Sequence, residues 1–236
     1  MCGRFSVSKP HDAAERFGFL EWHDVRVEPR FNVAPTQEIL IVVEQAPGDR
    51  TPEVATWGFS PHWLHVGKAR RSPPINARAE TLLQSPMFKE ALTGRRCLIV
   101  ADGFYEWQST PGNSVRTPMY VRLKGGGLFA FAGLWAPGKA GTRPTAAIVT
   151  TLPNDVLAPI HNRMPVILRL GDEAVWLDPR EKDLPKLQVL LAPVPADRLE
   201  AYAVAPLVNS FQNEGPELIV PTTSKPAAAV QTQLPF

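Results

Sequence analysis

The chain has 236 residues, of which 44% are apolar and 20% charged, and its 25 Lys plus Arg against 23 Asp plus Glu leave a formal net charge of +2. This is enough apolar material for a buried core in one large domain or two small ones, and the total charge excludes a uniformly basic nucleic-acid binder. Twenty-five prolines, roughly twice the usual share of about 5%, exclude a long helical bundle, and two cysteines exclude a disulfide framework.

In chain order, the first predicted element is a helix from His11 to Phe17. A second is expected from Pro86 to Leu92, with Ser85 as N-cap, Pro86 in the first turn and Gly94 past its end. Short β-branched or aromatic runs bounded by Gly or Pro predict strands at Leu98–Val100, Met119–Leu123, Leu128–Leu134, Ala146–Thr151 and Val166–Leu170. Gly125-Gly126-Gly127 between two of these runs reads as a hairpin loop, and Asp172–Leu177 as a third helix. Many short strands with occasional helices imply an α+β fold: a single compact domain on a mixed or antiparallel, curved or barrel-like sheet with a few short helices. The domain is expected to span 1–220, followed by a flexible C-terminal tail at 221–236 that is rich in proline and small residues.

The longest apolar, uncharged stretch, Gly125 to Gly138, has 14 residues, short of the roughly 18 that a membrane span requires. Arg4, Lys9 and His11 near the start, with no apolar run behind them, predict no signal peptide. A cytoplasmic, soluble protein is the expectation. The charge is unevenly spread: residues 1–60 carry −3, residues 61–170 carry +9 and residues 171–236 carry −4. The near-neutral total therefore conceals a basic middle that a fold can gather into one cationic face.

Four short constellations carry the chemistry. Cys2, once Met1 is removed, offers an α-amine and a thiol on adjacent carbons, with ordinary pKa values of about 8 and 8.5. Such a pair can trap an aldehyde as an imine and then close a five-membered thiazolidine; the bland alternative is an unremarkable terminus. In the extended segment Asn76-Ala77-Arg78, alternation places the Asn76 amide and the Arg78 guanidinium on one side, a pairing suited to a nucleic-acid backbone. Glu106 lies between the aromatics Tyr105 and Trp107. It reads either as an acid/base raised toward neutrality by burial or as a salt-bridged strand residue. His161, in His161-Asn162-Arg163-Met164-Pro165, can shuttle a proton, with Arg163 as a second phosphate fork. Cys97, inside an apolar run, reads as an inert core thiol. His62 and His65 lack a nearby thiol to complete a zinc pattern, so neither a metal nor a cofactor is expected.

Taken in order, MCGRF, NARAET, ADGFYEW and HNRMP resemble the SRAP family, the SOS response-associated peptidases, and the resemblance extends through RFNVAPTQ, WGFSPHW and LVNSFQNEGPELIVP to about Val220. It implies covalent capture and shielding of abasic sites in single-stranded DNA, with proteolytic self-processing at the N-terminus. Cys2 would be the nucleophile, Asn76 would orient the reacting amine and sugar, and Glu106 and His161 would carry the proton transfers. Arg4, Arg78, Thr150 and Arg163 would contact DNA, and Trp63, Met87 and Phe88 would pack against bases. A peptidase or amidase with an N-terminal nucleophile, and a noncatalytic single-strand binding module, are the alternatives. The last six residues, Gln231 to Phe236, look like a sliding-clamp peptide anchored by Gln231, Leu234 and Phe236. Otherwise a monomer without membrane contact is expected.

Overall fold

The computed structural model describes residues 2–22, 25–61, 72–112, 114–139 and 141–222. Its strands in chain order are β1 (Phe5–Val7), β2 (Arg30–Val33), β3 (Glu38–Glu44), β4 (Arg50–Trp57), β5 (Asn76–Arg78) and β6 (Arg96–Ala101), followed by β7 (Gly103–Gln108), β8 (Thr117–Leu123), β9 (Phe129–Ala136), β10 (Thr145–Thr151), β11 (Met164–Pro165) and β12 (Leu199–Ala203). The α-helices are short: α1 (Ala13–Phe17), α2 (Lys89–Gly94), α3 (Glu173–Leu177) and α4 (Leu184–Val189). No helix among the described residues is long and apolar enough to cross a membrane.

The strands form two sheets. One has the order β12-β8-β7-β1-β2. In the other, β10, β4, β3, β6 and β9 are hydrogen-bonded in succession, and β9 also pairs with β10, so these five strands close on themselves. The α+β architecture with a barrel-like sheet is the one that the sequence predicts.

β10 changes partners along its length. Its first half lies between β9 (Thr145↔Ala136 to Ile148↔Gly133) and, in parallel, β4 (Thr145↔Thr56, Ala146↔Trp57). Its second half lies between parallel β5 (Ile148↔Asn76 to Thr150↔Arg78) and β11 (Thr150↔Pro165, Thr151↔Met164).

One hydrophobic core spans both sheets. Phe5 of β1 sets its ring edge-on to Trp57 (5.1 Å) and Phe131 (5.9 Å), pinning the N-terminal strand of one sheet into the interior of the other. Burial of a phenylalanine of this kind is worth about 1.5–3 kcal/mol. A smaller cluster, built on Tyr105, Tyr120, Val204, Val208 and Leu218, covers the opposite face of the five-stranded sheet.

Several sequence expectations are corrected. Gly125-Gly126-Gly127 is not a hairpin loop: β8 and β9 belong to different sheets, and the three glycines, all at positive φ, carry the chain from one to the other. Val166–Leu170 is not a strand but an irregular run joined to β9 by the single bridge Phe131↔Ile167 and by backbone bonds from Ala132 to Val166 and from Leu168 to Ala130. The second helix begins at Lys89 and includes Gly94, because the Ser85 carbonyl already accepts from the Phe88 and Lys89 amides in a preceding turn. Ser85 is therefore not its N-cap. The first and third helices fall as predicted, the former entered through a 3₁₀ turn at Pro10–Asp12.

Candidate active site

Chain separation gives no hint that Cys2 and Asn76 are neighbours, yet the strands bring them together. β5 lies against the second half of β10, burying Ala77 and leaving Asn76 half-buried and Arg78 exposed. From there the Asn76 Nδ2 donates to the Cys2 carbonyl at 2.9 Å. The other end of that amide, Oδ1, is buried and has no hydrogen-bond partner among the described residues. A buried acceptor left open in this way is costly unless a ligand donor meets it.

Cys2 itself is fully buried just ahead of β1. Burial pushes its thiol up, and the negative charge of Glu106 adds to the effect, which marks the carboxylate as an electrostatic neighbour. Glu106 comes from β7, whose partner β1 carries Cys2 at its head, and it is 3% exposed. Desolvation raises its carboxyl to about 7. The pair thus holds a neutral thiol beside an acid poised to gain or lose a proton near neutral pH.

His161 follows a turn in which the Asn154 side chain accepts from the Val156 and Leu157 amides and donates to the Val194 carbonyl. Its Nδ1 accepts from the Arg163 backbone N–H at 3.0 Å, which leaves the ring proton on Nε2 in the neutral tautomer. Burial lowers the imidazole pKa, and neighbouring positive charge, Arg116 and Arg163 included, lowers it further. Gln108, at the end of β7, ties this turn to the Glu106 strand through a bond to the Pro159 carbonyl at 3.1 Å.

The proposed DNA-contact residues have varied settings. Arg163 places its fork on Glu80 at 2.7 and 2.9 Å and also donates to the Thr150 carbonyl. Thr150 is fully buried beneath that contact. Arg4 donates to Asn32 Oδ1 (2.7 Å) and the Val208 carbonyl (2.9 Å), on the side of the sheet packed by residues 206–213. Phe88 is buried with its ring against Phe59 at 4.9 Å, and Met87 packs partly buried on the core. Trp63, and the clamp-like Gln231, Leu234 and Phe236, lie outside the described residues.

The basic middle of the chain is not a uniform cationic face. Arg96 is buried and spends its guanidinium on the carbonyls of Leu92, Trp176, Asp178 and Glu181. Arg95, Arg122 and Arg143 pair with Glu90, Glu200 and Glu38. Glu80 is the site residue that sequence reasoning missed; its position two residues after Arg78, as one of few acids in a basic segment, was the available signal.

A family model described as "SOS response associated peptidase (SRAP)" matches residues 1–211. The abasic site processing protein YoqW of Bacillus subtilis (strain 168) is 42% identical over 224 residues, covering 93% of this chain and 99% of YoqW. The abasic site processing protein HMCES of Rattus norvegicus is 29% identical over 271 residues, covering 94% of this chain and 76% of that protein. Among solved structures, a protein from Bacteroides thetaiotaomicron superposes with a TM-score of 0.81 at 25% identity, covering 94% of this chain and 100% of its own.

Proposed function

This chain belongs to the SRAP family, the SOS response-associated peptidases, and we propose that it captures abasic sites in single-stranded DNA through Cys2. The observation that carries this reading is the convergence of a buried terminal thiol, a carboxyl raised to about 7 and an amide bonded to the Cys2 carbonyl. Relatives named as abasic site processing proteins support it.

Hydrolysis of the Met1–Cys2 amide frees the Cys2 amine. The amine adds to the C1′ aldehyde of a ring-opened abasic sugar, and loss of water from the carbinolamine gives an imine. The thiol sulfur then adds to the carbon of the protonated imine and closes the thiazolidine, its proton passing to the Glu106 carboxylate left by the dehydration. Glu106 delivers the proton that expels water and accepts the one leaving sulfur. His161, neutral with its proton on Nε2, donates to the sugar oxygen during ring opening. The open Oδ1 of Asn76 accepts from the amine. Holding all partners in one site replaces a bimolecular encounter. Arg78 and Arg163, with Thr150 beneath, flank this centre as phosphate contacts; Arg4, Trp63, Met87 and Phe88 complete the proposed DNA surface.

Incubation of the processed protein with an abasic single strand should give a heat-stable adduct that survives denaturation. Cys2→Ala should abolish it and Cys97→Ala should not; a wild type that forms none overturns the reading. The family's description as peptidases favours a second reading, acyl transfer to Cys2 from peptide substrates. Turnover of a peptide other than the chain's own leader would establish that one. We assign residues 1–220 to the reactive domain and the Gln231, Leu234 and Phe236 side chains to sliding-clamp docking. A protein truncated at Val220 that binds clamp as well as the full chain does would refute the docking role.

A further inference from the structure

Cys2 is carried at the head of a short strand. β1 has three residues, pairs with β7 at Phe5↔Phe104 and Ser6↔Gly103, accepts at the preceding Arg4 carbonyl from the Tyr105 N–H (2.9 Å), and shifts register against β2 between Phe5 and Val7. The buried Phe5 ring fixes which face of β1 points inward, while the polar groups beside it must find partners. The reaction needs its groups held to within about 0.5 Å.

Asp102, at the junction of β6 and β7, adds a side-chain constraint to that pairing. Its backbone N–H donates to the Ser6 carbonyl at 3.0 Å. Its Oδ1 accepts from Ser6 Oγ at 2.6 Å, and its Oδ2 accepts from both the backbone N–H and the hydroxyl of Ser8. With the Ser6 proton committed to Asp102, the Tyr120 hydroxyl, 2.8 Å away, donates to Ser6 Oγ. Ser6, Tyr120 and Asp102 are all buried, and among the described residues no cation pairs with the carboxylate. A buried carboxylate is expensive to hold, and here it is compensated almost entirely by donors from the strand that bears Cys2. Gly103 makes the arrangement fit, since a Cβ there would lie 2.1 Å from the Tyr120 ring.

We propose that Asp102 is a positioning residue for the capture reaction: its carboxylate locks the register of β1 against β7 and so sets Cys2 relative to Glu106 on the same β7 strand. The proposal rests on the reading of Cys2 as the capturing nucleophile. Asp102→Asn tests it most sharply, because an amide nitrogen in place of Oδ2 faces the Ser8 N–H with a donor.

The experiment measures single-turnover adduct formation at saturating abasic single strand from pH 5 to 9, alongside affinity for an intact single strand and the urea midpoint. Asp102→Asn should slow adduct formation by about 10-fold or more, displace the pH–rate profile, and leave affinity for the intact strand unchanged. Ser8→Ala, which keeps the backbone donor, and Tyr120→Phe should slow it less; they also stand in for Asp102→Asn if that protein does not fold. A variant that lowers only the urea midpoint, with the rate and pH profile of its folded fraction at wild-type values, overturns the proposal. A wild type without adduct overturns the capture reading instead, so the two failures are distinguishable.

Discussion

The Asn76 side chain bonds the backbone of Cys2 across 74 positions of sequence, Nδ2 to carbonyl oxygen at 2.9 Å. One amide therefore ties down the backbone of the proposed nucleophile and leaves its own Oδ1 without a partner among the described residues, where the proposed reaction places the Cys2 amine. Asn76→Ala removes both functions, whereas Asn76→Asp keeps an acceptor and loses the donor. A hydrogen bond of this kind is worth about 1–3 kcal/mol, so either change should slow adduct formation by roughly 10–100-fold. Affinity for an intact single strand should be unaffected. An Asn76→Ala protein that reacts at the wild-type rate would refute the assignment.

Glu106 makes stability fall with rising pH. Its carboxyl is raised from an ordinary 4.5 to about 7 in the fold, so between those values the folded state holds a proton that the unfolded state has lost. The stabilisation is complete below the unfolded value and is lost as pH rises through the folded one. The slope is at most about 1.4 kcal/mol per pH unit. Urea midpoints measured from pH 4 to 8 should fall for wild type relative to Glu106→Gln across that window, the lowered His161 imidazole acting in the opposite sense in both proteins. In Glu106→Gln this contribution to the decline should vanish, together with the neutral-pH limb of the reaction profile.

Glu80 occupies the fork of Arg163 in the DNA-free protein. A phosphate docking on Arg163 has to displace that carboxylate. Glu80→Gln should therefore tighten single-strand binding at low salt, since the phosphate no longer competes with a carboxylate for the Arg163 fork. Titrations at several salt concentrations decide it; weaker binding by Glu80→Gln would make Glu80 a support for Arg163 rather than its competitor.

Cys97 is a packing residue. It is fully buried with its thiol pushed up by desolvation, and a Cβ added at Gly133 would lie 2.6 Å from its sulfur. Gly133→Ala should cost about 1–3 kcal/mol by overpacking. Combining it with Cys97→Ala should recover part of that loss, a coupling that a double-mutant cycle in urea measures. Adduct formation should be unchanged in Cys97→Ala.

The α+β class with a barrel-like sheet was legible because β6, β9 and β10 of the barrel, and β8 of the other sheet, are β-branched or aromatic runs that punctuation isolates. Other strands lacked such signals for physical reasons. β3 is buried along Ile39–Val43, so its apolar run shows no alternation. β4 contains Pro52, tolerated because at that point the strand pairs only with β3 and needs no donor on its other side. β1, β2 and β5 are too short to show a period. In the candidate site, residue type and motif single out Cys2, Asn76, Glu106 and His161. That Asn76 meets Cys2 could not be read: nothing local to Asn76 points to it. The Glu80–Arg163 pair, 83 positions apart, depends on β10 holding β5 on one side and β11 on the other.

That double allegiance of β10 gives the molecule a mechanical character. The same strand is barrel wall from Thr145 to Ile148 and the backing of the site from Ile148 to Thr151. The backing of the candidate site is thus continuous with the closed barrel wall: no loop intervenes between them, so a load placed on β5 or β11 would pass directly into the hydrogen-bonded ring of strands.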